Sequence, residues 1–115
     1  MTTSEVIFID DELAIRQVML QTLALENLNA RAYAQGAVAL KDIKPDFQGV
    51  VLCDYHMPGL DGLQVLAKVH AIDASIPVIM LTGQGDISTA VAAMQQGAYD
   101  FIEKPFNHDA LIELL

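Results

Sequence analysis

A chain of 115 residues is enough for one domain with a real core, and its 53% hydrophobic content supports that. Fifteen acidic residues against six basic ones give a formal net charge of −9, which opposes nucleic-acid phosphates and suits a divalent cation. One cysteine, Cys53, excludes an internal disulfide and fits a reducing compartment.

The chain starts MTTSEVIFIDDE. It lacks the basic start and long apolar run of a signal peptide. No stretch approaches the ~20 apolar residues of a membrane span. The expectation is therefore a cytoplasmic protein that touches neither membrane nor, through this chain, nucleic acid. The first apolar run, VIFI at 6–9, reads as a buried strand and ends on Asp10, Asp11 and Glu12. Ile15, Met19 and Leu23 follow at helical spacing. ARAYA at 30–34 is a weaker strand, and Gly36 to Ile43 a short helix before Pro45. VVLC at 50–53 runs into Asp54 and breaks at once into the turn-rich YHMPGLDG. Val65, Leu66, Val69 and Ile72 form a second helical stripe. PVIML at 77–81 leads to Thr82 and GQGD. Ile87, Ala90, Val91 and Met94 make a third stripe, with Asp86 at the N-cap position and Gly97 as its stop. YDFI at 99–102 precedes Lys104 and Pro105, and Asn107 or Asp109 opens the last helix. DALIELL ends inside an amphipathic pattern, which reads as a fragment of a longer protein.

This is β–α repeated five times, the pattern of an α/β fold: a parallel five-stranded sheet with helices on both faces. Crossovers are right-handed almost without exception. By analogy with other doubly wound sheets the expected strand order is flavodoxin-like, 2-1-3-4-5. Ligands of such sheets bind at the carboxyl ends of the strands, near the switch in strand order. Asp10, Asp11 and Asp54 would converge there, with Thr82 and Lys104 at the same edge.

Each residue type has a chemical use at that place. Packed carboxylates repel unless a cation sits among them, and a hard oxygen site suits Mg²⁺. A carboxylate is also a nucleophile toward phosphorus. Phosphoryl transfer is mainly positioning and charge neutralisation, to which an ammonium and a hydroxyl contribute. Singly, each residue has a plainer reading. Asp10 and Asp11 would favour a helix N-terminus, Asp54 would form a turn, Thr82 would be a strand-end hydroxyl, and Lys104 a solvated charge. Their convergence at one edge is what raises the functional reading above these.

IDDE (9–12), LCDYHMPGLDG (52–62), IMLTGQGD (79–86) and YDFIEKPF (99–106) together resemble the receiver domain of two-component response regulators, over essentially the whole chain. The finer similarity, in TGQGDISTAVAAMQQGAYDFIEKPF, is to receivers of sigma-54-dependent transcriptional activators of the dicarboxylate-transport type. The resemblance implies a single receiver domain over 1–115, the N-terminal part of a longer regulator. Its partners would be a histidine kinase as phosphodonor and an output part, an ATPase plus a DNA-binding domain, outside this chain. It implies Asp54 as phosphoacceptor, and Asp10, Asp11, Asp54 and the His56 backbone carbonyl as Mg²⁺ ligands. Thr82 and Phe101 become switch residues, and Lys104 contacts a phosphoryl oxygen. The Lys104–Pro105 bond is expected to be cis by resemblance. His56 and Gln84 would flank an attacking water and tune the lifetime of the acyl phosphate. The face of helix four, strand five and helix five, with Ala90, Ala93, Met94, Gln95, Gln96 and Phe106, would carry the signal or a dimer contact. Such a module is not a turnover enzyme. It moves one phosphoryl group onto itself and loses it slowly. Two other readings stay open: a pseudo-receiver that only docks, and an aspartate-nucleophile phosphatase, whose D-x-D after strand one is here DDE. Cys53 is expected to pack in the core, because it points to the face opposite Asp54. Tyr33 and Tyr55 read as packing or surface residues.

Overall fold

The computed structural model describes residues 5–115. Ten elements alternate strictly: β1 Glu5–Ile9, α1 Leu13–Leu25, β2 Asn29–Tyr33, α2 Gly36–Lys41, β3 Val50–Asp54, α3 Gly62–Ile72, β4 Val78–Thr82, α4 Ile87–Gln95, β5 Asp100–Glu103 and α5 His108–Leu114. All neighbouring strands pair in parallel, as expected from the alternation, and their order is β2-β1-β3-β4-β5, as expected by analogy with other doubly wound sheets. The three central strands are the near-continuous apolar runs of the sequence. Every residue of β3 and β4 is buried, as a parallel sheet covered on both faces requires.

Side-chain alternation along the strands divides the core in two. Ile7, Ile9, Val51, Cys53, Val78 and Met80 meet Val65, Leu66 and Val69 of α3 on one face. Val6, Phe8, Leu52, Ile79 and Leu81 meet Met19 and Leu23 of α1 and Leu111 of α5 on the other. Burying one such side chain contributes about 1.5–3 kcal/mol. Cys53 is a packing residue of the first face, and burial pushes its thiol pKa well above the usual range. Tyr33, half-buried at the end of the edge strand β2, donates a 2.6 Å hydrogen bond to Asp42. Tyr55 packs against the first core cluster.

The helix ends follow their local chemistry. Asp61 caps α3 in a capping box: its side chain accepts from the Gln64 amide, and the Gln64 side chain accepts from the Asp61 amide. Asn107, one of the two expected candidates, caps α5 through the Asp109 and Ala110 amides. Asp86 occupies the N-cap position of α4 and Gly97, at φ +99°, follows its end.

The expected α4 stripe is corrected. Thr89, Ala90 and Ala93 are the buried residues, whereas Ile87, Val91 and Met94 are exposed. They line a groove of about 370 Å³ between α4 and β5, together with Asp86, Ala90, Gln95, Phe101 and Glu103. The small side chains of Ala90 and Ala93 let α4 approach the sheet closely, so the larger ones sit beside the contact. Ala93 turns into the core and Phe106 packs on the α1/α5 face, so neither lines this groove.

Candidate functional site

β1 and β3 are neighbours at the switch in strand order; Asp10 directly follows the last residue of β1, and Asp54 is the last residue of β3. Asp10 and Asp54 continue the alternation of Phe8 and Leu52, toward the α1/α5 side. Lys104 continues that of Ile102 in β5 and reaches the same place. Its Nζ donates to Asp10 Oδ2 at 2.9 Å and lies 3.1 Å from Asp54 Oδ1. Asp10 is fully buried, Asp54 is 6% exposed and Asp11 is exposed. One carboxylate oxygen from each of the three lies within 4.8 Å of the others.

The carboxylates are held from several sides. The Glu12 amide donates to Asp10 Oδ1 at 2.9 Å, and Arg16 Nη1 donates to the Asp10 carbonyl at 2.8 Å. The Asp10 amide donates to Tyr33 O, fixing the strand end. Beneath Asp54, the Gly62 amide donates to the Tyr55 carbonyl at 2.9 Å. A Cβ on Gly62 would stand 2.5 Å from Met80 Sδ, 2.8 Å from Tyr55 Cα and 3.0 Å from the Asp54 carbonyl. Gly62→Ala should therefore cost about 1–3 kcal/mol and displace the Asp54 turn, as overpacking does. Urea unfolding would measure it. A cost near zero would mean that the turn yields freely.

Burial pushes the Asp54 carboxyl above the usual carboxylate range. Lys104 pulls it back, while the charges of Asp10 and Asp11 act with burial. Burial also works against the Lys104 charge, but the Asp10 hydrogen bond and the Asp54 charge outweigh it. The ammonium pKa stands above its ordinary value. The site is thus a carboxylate cluster with one resident cation. Its donors are all hard oxygens with a net excess of negative charge, which fits a divalent cation of the Mg²⁺ type.

Thr82 ends β4, next to Leu81, which pairs with Asp54. Its hydroxyl is buried and has no hydrogen-bond partner among the described residues. The Lys104 amide donates to the Thr82 carbonyl at 2.8 Å, and the Lys104–Pro105 bond is cis. Phe101 is half-buried on the opposite face of β5, in the α4 groove. The His56 side chain does not enter the carboxylate cluster. Its Nε2 lies 3.3 Å from Asp86 Oδ2 at the start of α4, and the ring is 70% exposed. Gln84 is exposed at the tip of the β4–α4 turn.

The model of the response regulator receiver domain matches residues 6–115. The chain belongs to this family. The receiver is 45% identical over 108 residues to the C4-dicarboxylate transport transcriptional regulatory protein DctD of Rhizobium meliloti, covering 94% of this chain and 24% of the relative. It is 36% identical over 107 residues to the DNA-binding transcriptional regulator NtrC of Escherichia coli, covering 93% and 23%. The receiver thus spans about a quarter of the length of these curated relatives. Among solved structures, a response regulator receiver domain protein from Clostridium thermocellum superposes with a TM-score of 0.90 at 28% identity, over 96% of this chain and 89% of that one. Among the described residues of the receiver, no helix is long and apolar enough to cross a membrane.

Reading the sequence singled out Asp10, Asp11, Asp54, Thr82 and Lys104, and all lie at one sheet edge. It missed Arg16 and Glu103. Arg16 acts on a main-chain carbonyl six residues away, and Glu103 on the Gly85 amide, so no motif announces either. Asp61 and Gln64 were missed as well, although D-x-x-Q ahead of an apolar run is a helix-start signature that could have found them.

Proposed function

We propose that the receiver accepts a phosphoryl group on Asp54 and passes the change to an output part of a longer, cytoplasmic transcriptional regulator. The observation that carries this is the joint contact of Lys104 with Asp10 and Asp54 beside Asp11. The phosphodonor in this reading is a phosphohistidine on a histidine kinase. An oxygen of the ionised Asp54 attacks phosphorus, the P–N bond breaks, and the departing imidazole takes up a proton. Lys104 opposes the rise that burial imposes on the Asp54 carboxyl and would meet the charge on the transferring oxygens. The Thr82 hydroxyl, which has no partner among the described residues, would donate to one of them.

Asp10, Asp11, Asp54 and the His56 carbonyl would hold Mg²⁺. When bound, this ion neutralises charge on the phosphoryl oxygens. The transcriptional role is carried over from the relatives, two of which are named as transcriptional regulators. Phe101, at the floor of the α4 groove, would respond to Thr82 as a switch residue, and the α4–β5 face would carry the signal or a dimer contact.

Intact mass after incubation with Mg²⁺ and a small acyl phosphate tests the reading. One phosphoryl adduct is expected. A folded chain with no adduct would leave a docking module instead, and steady turnover of a phosphomonoester would indicate a phosphatase. His56 and Gln84 are proposed to tune the adduct's lifetime. Gln84→Ala should change the dephosphorylation rate severalfold, and an unchanged rate would remove Gln84 from that role.

A further inference from the structure

The turn between β4 and α4 is built to be loose. Gly83 and Gly85 flank Gln84, and neither would meet anything within 4 Å if it carried a Cβ. Glycines add backbone freedom that the fold must remove elsewhere. The Asp86 amide donates to the Gly83 carbonyl at 3.1 Å, and Gly85 sits at φ +79°, so the four residues make a type II turn. This turn leaves from Thr82 and carries Gln84 at its tip.

Two side chains hold it from outside. His56 reaches the Asp86 carboxylate, a side chain with rotamers of its own. Glu103 grips the backbone: its Oε2 accepts from the Gly85 amide at 3.0 Å. Glu103 pairs with Thr82 across β4 and β5, and the next amide, Lys104 N–H, donates to the Thr82 carbonyl. The end of β5 therefore fixes the turn at both of its ends. Glu103 lies on the α4 face with Phe101, at the rim of the groove, and makes no contact with the carboxylate cluster.

We infer that Glu103 is a positioning residue for phosphoryl transfer to Asp54: its hydrogen bond to the Gly85 amide holds the β4–α4 turn so that Thr82 and Gln84 keep their places at the site. The inference rests on the phosphoacceptor role of Asp54 proposed above. Without the carboxylate, the Gly85 amide turns to water and both glycines regain their freedom. Thr82 and Gln84 then spend part of their time out of place.

Charge and positioning predict opposite results, which makes the test sharp. Removing a negative charge near an acidic site would by itself speed reaction with an anionic donor. Losing the hydrogen bond should slow it. The link is exposed, so the expected loss for Glu103→Ala is about threefold in the initial rate of Asp54 phosphorylation by a small acyl phosphate with Mg²⁺. Glu103→Gln removes the charge but keeps an acceptor oxygen, and should run at or above the parent rate. Hydrogen exchange at the Gly85 amide should quicken in Glu103→Ala and return toward the parent in Glu103→Gln.

Both variants faster than the parent, both equally slow, or neither changed would overturn the inference. So would a Gly85 amide that exchanges alike in all three chains. A parent that takes up no phosphoryl group would refute the phosphoacceptor reading and, with it, the role of Glu103 in transfer. The exchange measurement separates the two failures, because it reports the Glu103–Gly85 bond whether or not Asp54 reacts.

Discussion

Asp54→Asn is expected to take up no phosphoryl group under conditions that modify the parent chain once, and to melt no lower than the parent. The first half follows from chemistry: an uncharged amide is no nucleophile toward phosphorus, and Asp10 is fully buried beneath Lys104. The second half follows from electrostatics. Asp54 has its carboxyl pKa raised by burial, with Asp10 and Asp11 acting alongside and Lys104 acting against. A carboxylate whose folded pKa is raised costs stability as pH climbs from its unfolded value through its folded one. The amide removes that cost at neutral pH while keeping nearly the same shape. Intact mass gives the first result and a thermal melt at pH 7 the second. An adduct on the variant would move the acceptor to another residue. A large fall in melting temperature would show that Asp54 is a structural partner of Lys104 before it is anything else.

Lys104→Met should lower stability in a way that depends on pH and on Mg²⁺. Lys104 is the cation that faces both Asp10 and Asp54, and its side chain is 22% exposed. Removing one partner of a buried ion pair typically costs about 3–5 kcal/mol. Partial exposure lets water share the burden here, so ~1–3 kcal/mol at pH 7 is expected. The pH dependence has a definite sign. The folded pKa of Lys104 is raised, so its contribution is fully present below the unfolded lysine value and is lost as pH rises through the folded one. The parent should therefore lose its advantage over the variant at alkaline pH. Mg²⁺ should narrow the gap at pH 7, because Asp10, Asp11 and Asp54 would then share a cation that the variant needs more than the parent does. At about 100 times its dissociation constant an ion returns ~2.7 kcal/mol. Urea unfolding of both chains, with and without Mg²⁺, decides it. Equal stability throughout, with no response to the ion, would refute the view of the site as a cation-dependent carboxylate cluster.

The two results bear on different links. The first asks whether Asp54 reacts, the second whether the cluster is built around positive charge. A chain that passed the second and failed the first would be a metal-responsive docking domain.

Much of this was determined by the sequence alone. VIFI, VVLC and PVIML are short, Val- and Ile-rich apolar runs, the pattern of strands covered on both faces, and their alternation with helical stripes made the parallel sheet legible. Asp10, Asp54 and Thr82 each stand directly at a strand's carboxyl end, so their shared edge followed once the sheet was parallel. Tertiary structure decided what depends on distances between elements. Ile87, Val91 and Met94 have the spacing of a core stripe, yet they are exposed. The width of helical spacing does not say where the neighbouring strand lies, and Ala90 and Ala93 set that contact. His56 pairs with Asp86 thirty residues away, Glu103 with the Gly85 amide, and Arg16 with the Asp10 carbonyl. Such bonds join an ordinary side chain to a group that the sequence does not mark. Their existence is fixed only when the strands, turns and helix ends have been brought to within hydrogen-bond reach.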